Sequence, residues 1–313
     1  MNYFKNKKIL LTGGAGFVGS HVYIKLLKHG VKKEDVFIPR SKDYDLRDVS
    51  VCDRLTKQAD IVIHLAGHVG GIGYNRENPG FLFYDNMMMG VNLIEASRVN
   101  KIKKFIQIGT ICAYPKFTPV PFHEEDLWYG YPEETNAPYG IAKKALLVMI
   151  QAYRQQYNFP GIYLLPVNMY GPGDNFDPKS SHVIAALIKK IHDAKKEKKK
   201  EIVVWGDGSA TREFFYVEDA AEAIVLATEK YESAQPVNIG AGFEISIKEL
   251  AGKLIRLMKF EGKIMWDKTK PNGQPRRCLD TSKALKELGF KATTKFDDGL
   301  AKTVAWYETH PFI

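Results

Sequence analysis

Short apolar runs alternate with longer amphipathic ones through the first half of the chain. Lys8-Ile9-Leu10-Leu11-Thr12, Val36-Phe37-Ile38, Ile61-Val62-Ile63-His64-Leu65, Phe105-Ile106-Gln107-Ile108 and Ile162-Tyr163-Leu164-Leu165-Pro166 read as buried strands. Helices are predicted between them over Ser20–His29, Val49–Lys57, Gly80–Asn100 and Pro138–Tyr157, with Gly30 closing the first. Strands that are apolar throughout and separated by helices predict an α/β fold, a parallel sheet covered on both faces. Beyond Pro166 the pattern is mixed. Helices are expected near Ser181–Lys195, Val217–Glu229, Ser246–Met258, Thr281–Leu288 and Asp297–Thr309, and short strands near Ile202–Trp205, Val237–Ile239 and Lys263–Trp266.

The first strand runs into Gly13-Gly14-Ala15-Gly16-Phe17-Val18-Gly19 and then a helix. Glycines there allow a tight turn and close approach of the backbone to a pyrophosphate, whose charge a helix N-terminus stabilises. Strand, glycine turn and helix together point to a dinucleotide and a Rossmann-type doubly wound sheet. The second strand ends at Pro39-Arg40-Ser41-Lys42. A basic residue there suits a 2′-phosphate, so Arg40 favours NADP(H) over NAD(H). Ala66 and Gly67, small residues after the third strand, let a cofactor pass, and the long loop from His68 to Pro79 is a candidate wall of the site.

Ligands of such sheets lie at the C-terminal strand ends, which places the Gly14 turn, Arg40, Ala66, Thr110 and Pro166 on one rim. The helix beginning near Pro138 adds Tyr139 and Lys143, four residues apart and so on one face. An ammonium beside a phenol favours the phenolate, which would let Tyr139 exchange a proton near neutrality. A Tyr-x-x-x-Lys pair alone also fits an ordinary surface pair.

At 313 residues the chain is long enough for two lobes. Residues 1–167 form the expected nucleotide domain, with a segment about 215–240 returning to its sheet. Residues 168–214 and 241–313 form the expected mixed α/β substrate-binding lobe. No apolar run is long enough to span a bilayer, the start leads directly into a strand, and the three cysteines are far apart. Those features predict a cytoplasmic protein with reduced thiols and no metal site. The net charge of +9 favours an anionic ligand. Its densest run, Lys195-Lys196-Glu197-Lys198-Lys199-Lys200, lacks interleaved aromatics, so nucleic acid is not expected. The helices over Gly80–Asn100 and Ala142–Tyr157 are apolar around more of their circumference than one sheet face requires, which predicts a homodimer.

Several motifs carry a narrower resemblance. Gly109-Thr110-Ile111-Cys112-Ala113-Tyr114-Pro115, Glu134-Thr135-Asn136-Ala137-Pro138-Tyr139, Asn168-Met169-Tyr170-Gly171-Pro172, Asp174-Asn175-Phe176, Ser181-His182-Val183-Ile184, Val204-Trp205-Gly206, Arg212-Glu213-Phe214, Lys270 through Arg276 and Leu279-Asp280 occur in this order over nearly the whole chain. The chain resembles GDP-L-fucose synthases, of the extended short-chain dehydrogenase/reductase superfamily, with Thr110 where that family usually carries serine.

The resemblance implies C3/C5 epimerisation of a GDP-4-keto-6-deoxy sugar followed by NADPH-dependent reduction at C4. It implies Thr110, Tyr139 and Lys143 for the reduction, Cys112 as base and His182 as acid for the epimerisation. It further implies cofactor contacts at Gly13, Gly16, Phe17, Val18, Gly19, Arg40, Asp45, Leu46, Leu65, Ala66, Gly67, Asn86, Lys143, Pro166, Asn168, Met169 and His182. Substrate contacts are implied at Asn168, Lys190, Trp205, Arg212 and Arg277. By residue type alone, Cys112 reads as a packing thiol, His182 as a solvated histidine and Arg212 as the partner of Glu213 or Glu218. Rival readings are a GDP-sugar 4-keto reductase without epimerisation, an NAD-retaining 4-epimerase, a 4,6-dehydratase, which would place acidic residues where Ile111-Cys112 stand, and a non-catalytic NADP sensor.

Overall fold

The computed structural model describes residues 2–270 and 273–310. Pro271 and Asn272, within the Lys270–Arg276 motif, lie outside the described residues. In chain order the elements are β1 (Ile9–Thr12), α1 (Phe17–Lys28), β2 (Val36–Phe37), α2 (Val49–Thr56), β3 (Ile61–His64), α3 (Ile72–Glu77), α4 (Pro79–Val99), β4 (Lys104–Ile108), α5 (Ala137–Tyr157) and β5 (Gly161–Pro166). There follow β6 (Asn168–Tyr170), α6 (Val183–Lys196), β7 (Glu201–Trp205), β8 (Thr211–Arg212), β9 (Phe214–Tyr216), α7 (Val217–Lys230), β10 (Val237–Ile239), β11 (Ile245–Ser246), α8 (Ile247–Leu257), β12 (Lys263–Asp267), α9 (Ser282–Leu288) and α10 (Phe296–Thr309).

Six parallel strands form the main sheet in the order β10-β5-β4-β3-β1-β2. Every residue of β1, β3, β4 and β5 is buried, as helices on both faces demand. The chain leaves β1 for β2 on one side and returns to β3 on the other. That reversal opens a crevice outside the carboxyl ends of β1 and β3. One core lies on this sheet; a second gathers Ile184, Leu187, Ile188 and Ile191 of α6 with Leu250 and Leu254 of α8 and Leu300 and Val304 of α10. Three two-stranded ribbons, β6–β9, β8–β11 and β7–β12, surround the second core.

Local physics sets most boundaries. Pro138 opens α5, and Asn158 ends it in the left-handed conformation at φ 54°. Ser246 caps α8 with a reciprocal Glu249 contact. Two expectations are corrected. The His68–Pro79 stretch is not wholly a loop, since α3 occupies Ile72–Glu77; and α1 starts at Phe17, not Ser20, because Gly16 already serves as its N-cap. Among the described residues no helix is long and apolar enough to cross a membrane, and no cluster of His, Cys, Asp or Glu could hold a metal.

Candidate active site

The glycine turn fills the crevice between β1 and β3. Gly13 has φ +72°, and a Cβ on it would sit 2.7 Å from the Ala66 amide nitrogen. A Cβ on Gly19 would fall 2.1 Å from the Gly13 carbonyl, so α1 can pack on the turn only through glycine. Gly16 caps α1 without a side chain, and the first turn holds no acidic residue. Phe17 and Val18 are its first two residues. This helix end presents free amides to an anion, so the cradle fits a dinucleotide pyrophosphate.

Beyond the end of β2, Leu46 is buried and Arg40 is exposed. Among the described residues the Arg40 side chain forms no hydrogen bond or ion pair. Arg47, by contrast, is compensated: it donates to both carboxylate oxygens of Asp45 at 2.9 and 2.7 Å and to buried Asp85 at 3.3 Å. It holds the Asp45 carboxyl down at about 2. Among the described residues the arginine left without a partner here is therefore Arg40, and Lys42 beside it is likewise exposed and unpaired. Leu65, Ala66 and Gly67 follow β3. Asn86 Nδ2 donates to the His68 carbonyl at 2.9 Å, and a Cβ on Gly67 would meet Asn86 Oδ1 at 2.9 Å and Lys143 Nζ at 3.4 Å. Beneath lies His64, unforeseen as a site neighbour. It is hydrogen-bonded to Thr12 at 2.7 Å and kept neutral because burial and Lys143 push it down to about 3.

Thr110, Cys112 and Tyr139 meet at the carboxyl end of β4. Cys112 does not lie in an extended segment. Residues Ile111–Ala113 make a 3-10 turn, and Thr110 Oγ1 accepts a hydrogen bond from the Cys112 amide at 3.1 Å. α5 is pressed against this turn: a Cβ on Gly140 would lie 2.2 Å from the Cys112 carbonyl. That contact sets Tyr139 beside Cys112 and within hydrogen-bonding reach of Thr110. The glycine after the tyrosine is a packing requirement that residue chemistry alone does not reveal.

Burial dominates the electrostatics here. It pushes the Tyr139 phenol up, Cys112 adds to that, and the Thr110 hydrogen bond opposes it. Burial also lowers Lys143 to about 8. The expectation that Lys143 would draw the phenol toward neutrality is thus reversed, because both groups share a site that disfavours charge. A phenol so placed keeps its proton at neutral pH.

Two guanidinium groups come from later in the chain, Arg212 on β8 and Arg277 on the segment before α9; Leu279, Ala284 and Leu288 of that segment and α9 pack in the core of the main sheet, not in the second core expected for residues 241–313. Arg277 is buried; its Nε donates to Gln274 Oε1 at 2.7 Å, and its Nη1 lies 3.7 Å from Cys112 Sγ. Arg212 donates to the Thr211 carbonyl at 2.7 Å. Burial first and Arg277 second lower it to about 9, with Cys112 and Glu133 opposing. Glu213 is not the partner of Arg212. Its buried carboxylate accepts from the amides of Ala241, Gly242 and Leu279 at 2.6, 2.8 and 2.7 Å, pinning three segments. His182, the N-cap residue of α6, has a lowered pKa, from burial first and Arg277 second.

Asn168 donates to the Glu213 carbonyl at 3.2 Å beside half-buried Met169, and Pro166 is paired with Ile239 at the end of β5. Lys190 and Trp205 form a separate group on α6 and β7. Lys190 Nζ donates to the Val203 carbonyl at 3.0 Å, and a Cβ on Gly73 would lie 3.8 Å from the Trp205 ring, so this surface faces α3.

A glycine cradle, a Thr-Tyr-Lys group and a partly buried thiol on one rim of a parallel sheet define a nucleotide-dependent oxidoreductase or epimerase. Residues 9–240 match the NAD dependent epimerase/dehydratase family, and the chain belongs to that family of enzymes. It is 39% identical over 305 residues to GDP-L-fucose synthase 1 of Arabidopsis thaliana, covering 97% of this chain and 94% of that protein. A GDP-L-fucose synthetase from Naegleria fowleri, solved bound to NADP, superposes with a TM-score of 0.88 at 28% identity over 98% of this chain and 95% of that one. A GDP-6-OMe-4-keto-L-xylo-heptose reductase from C. jejuni superposes at 0.91 with 26% identity, covering 99% of both chains.

Proposed function

We propose that this enzyme binds a GDP-linked 4-keto-6-deoxyhexose and NADPH, epimerises the sugar at C3 and C5, and reduces C4, as a GDP-L-fucose synthase does. The observation that carries the reading is the convergence of Thr110, Tyr139, Cys112 and Arg277 at the carboxyl end of β4, on the rim that holds the glycine cradle.

Cys112 Sγ takes the proton alpha to the ketone, and the C–H electron pair moves onto the C4 oxygen as an enolate. Thr110 and Tyr139 hydrogen-bond that oxygen and stabilise its charge. His182 returns a proton to carbon from the opposite face, which restores the ketone with inverted configuration. NADPH, when bound, supplies the hydride that reduces C4. Tyr139 then gives its proton to the C4 oxygen, completing the alcohol, and Lys143 holds the ribose side of the cofactor and supports the phenolate left behind. Gly13, Gly16 and Gly19 with the α1 amides would hold the pyrophosphate, Arg40 the 2′-phosphate, and Arg212, Lys190 and Trp205 the GDP moiety.

A reductase lacking epimerisation is the second reading, favoured by the likeness to the heptose reductase. An NAD-retaining 4-epimerase has no use for Cys112 and His182. The same proposal has the enzyme acting in the cytoplasm as a homodimer. Phe81, Tyr84 and Val99 on α4 and Val148 and Tyr157 on α5 are exposed, which supports a helical face built for a second copy.

The test is incubation in deuterium oxide with a panel of GDP- and UDP-4-keto sugars plus NADPH, with products read by NMR. Oxidation of NADPH with a GDP-4-keto-6-deoxy sugar and deuterium at C3 and C5 is the expected result. Turnover without deuterium at those carbons overturns the epimerase step, and no turnover with any GDP sugar overturns the whole reading.

A further inference from the structure

We propose that Arg277 is a positioning residue that keeps Cys112 in its thiolate form, and that Gln274 aims it. This deepens the reading above, on which the base role of Cys112 rests.

Arg277 and Gln274 are buried, with 7% and 5% of their surface exposed. They close a ring around the site. Gln274 Nε2 donates to the Lys116 carbonyl at 2.7 Å, four residues past Cys112. Gln274 Oε1 accepts from Arg277 Nε at 2.7 Å, and Arg277 Nη1 returns to Cys112 Sγ at 3.7 Å. The main chain holds the arginine from behind: the Arg277 carbonyl accepts from the Glu213 amide at 2.9 Å, and the Leu279 amide donates to Glu213 Oε2 at 2.7 Å. Both the fork and its stem are therefore fixed.

The charge balance points the same way. A guanidinium taken out of water is costly unless an anion offsets it. Among the described residues no carboxylate forms an ion pair with Arg277; its Nε meets a neutral amide. Sulfur is the group on that side able to become an anion. Among the described residues, the charged or titratable groups that interact with Cys112 are Tyr139 from α5, Arg212 from β8, itself near Glu133, and Arg277 from the segment before α9. Two of the three are cations, and the third is a phenol that keeps its proton. Cys52 and Cys278 sit in the opposite setting, pushed up to about 12, mainly by burial. A thiolate at Cys112 is what proton abstraction from carbon requires, because the thiol form has no lone pair basic enough to take that proton.

The experiment uses the full chain without sugar. Alkylation of Cys112 by iodoacetamide at pH 7 is followed by peptide mass spectrometry, with thiolate absorbance at 240 nm measured alongside. Arg277→Gln is expected to slow Cys112 alkylation about ten-fold, the equivalent of one charge-assisted hydrogen bond. It should also remove the part of the 240 nm absorbance that Cys112→Ser removes, and Arg277→Lys should restore most of both. A wild-type alkylation rate in a folded Arg277→Gln enzyme overturns the proposal, even if the KM for the sugar nucleotide rises, because Arg277 would then serve substrate binding alone. If Arg277→Gln does not fold, Gln274→Leu carries the test: it leaves the charge but releases the fork, and an unchanged rate overturns the proposal equally. Deuterium wash-in at C3 and C5 is measured separately. Its absence in the wild type would overturn the epimerase reading while the alkylation result still decides the role of Arg277.

Discussion

Tyr139 and Lys143 lie one helical turn apart on α5, and burial acts on them in opposite directions, raising the phenol and lowering the ammonium to about 8. A proton donor near neutrality needs only the first effect. Tyr139→Phe should therefore reduce ketone reduction by roughly 10²- to 10⁴-fold, the usual worth of a general acid, with NADPH binding unchanged by fluorescence titration. Unchanged turnover would remove Tyr139 from the chemistry. For Lys143, a fall from an ordinary 10.5 to about 8 marks a charge the fold bears at a cost, with an upper limit of roughly 3 kcal/mol. The unfolded chain binds more protons than the native one between those two values, so this cost is fully present below pH 8 and disappears as pH rises through about 8 to 10.5. Lys143→Met should accordingly inactivate the enzyme yet raise its melting temperature at pH 7, with the gain shrinking above pH 9. A lower melting temperature at pH 7 would contradict that account.

Elements explain why some of this is readable from sequence and some is not. β1, the glycine turn and the start of α5 declare themselves through apolar runs, left-handed glycine geometry and a proline at a helix start, all local effects. α3 and the short strands β6, β8, β9 and β11 carry no such pattern, and form because the ribbons and the second core hold them. Cys112 shows the difference sharply. The Thr110 hydroxyl caps a 3-10 turn that carries Cys112, and the contact with Tyr139 depends on Gly140 letting α5 sit against the Cys112 carbonyl. At the end of β2, among the described residues, Arg40 is the arginine without a side-chain partner, with Lys42 beside it, since Arg47 is occupied by Asp45 and Asp85. Arg40→Ala should raise the KM for NADPH roughly ten-fold while that for NADH changes little, which steady-state kinetics with both cofactors will check. Equal losses would mean that Arg40 does not meet the 2′-phosphate.

At the scale of the whole molecule, Arg212, Arg277 and His182 come from segments after β5 to a rim made by the earlier strands. The α4–α5 face is closely packed within the chain, a Cβ at Gly90 falling 2.2 Å from Leu146 Cδ1, and it still exposes Tyr84, Val99 and Val148 outward. Val148→Asp should convert a dimer into a monomer by sedimentation velocity, because a carboxylate in an apolar helical interface is left without a partner. A mass of one chain for the unmutated protein would dismiss the dimer.

What the sequence by itself determined is the parallel sheet, the dinucleotide turn and the set of residue types available for proton and hydride chemistry, because each follows from spacing over a few residues. The tertiary structure alone decided which cation stands by the thiol, which arginine is free for phosphate and which way burial moves each proton. Those outcomes depend on desolvation and on contacts between residues far apart in the chain, such as Cys112 with Arg277, that no local pattern encodes.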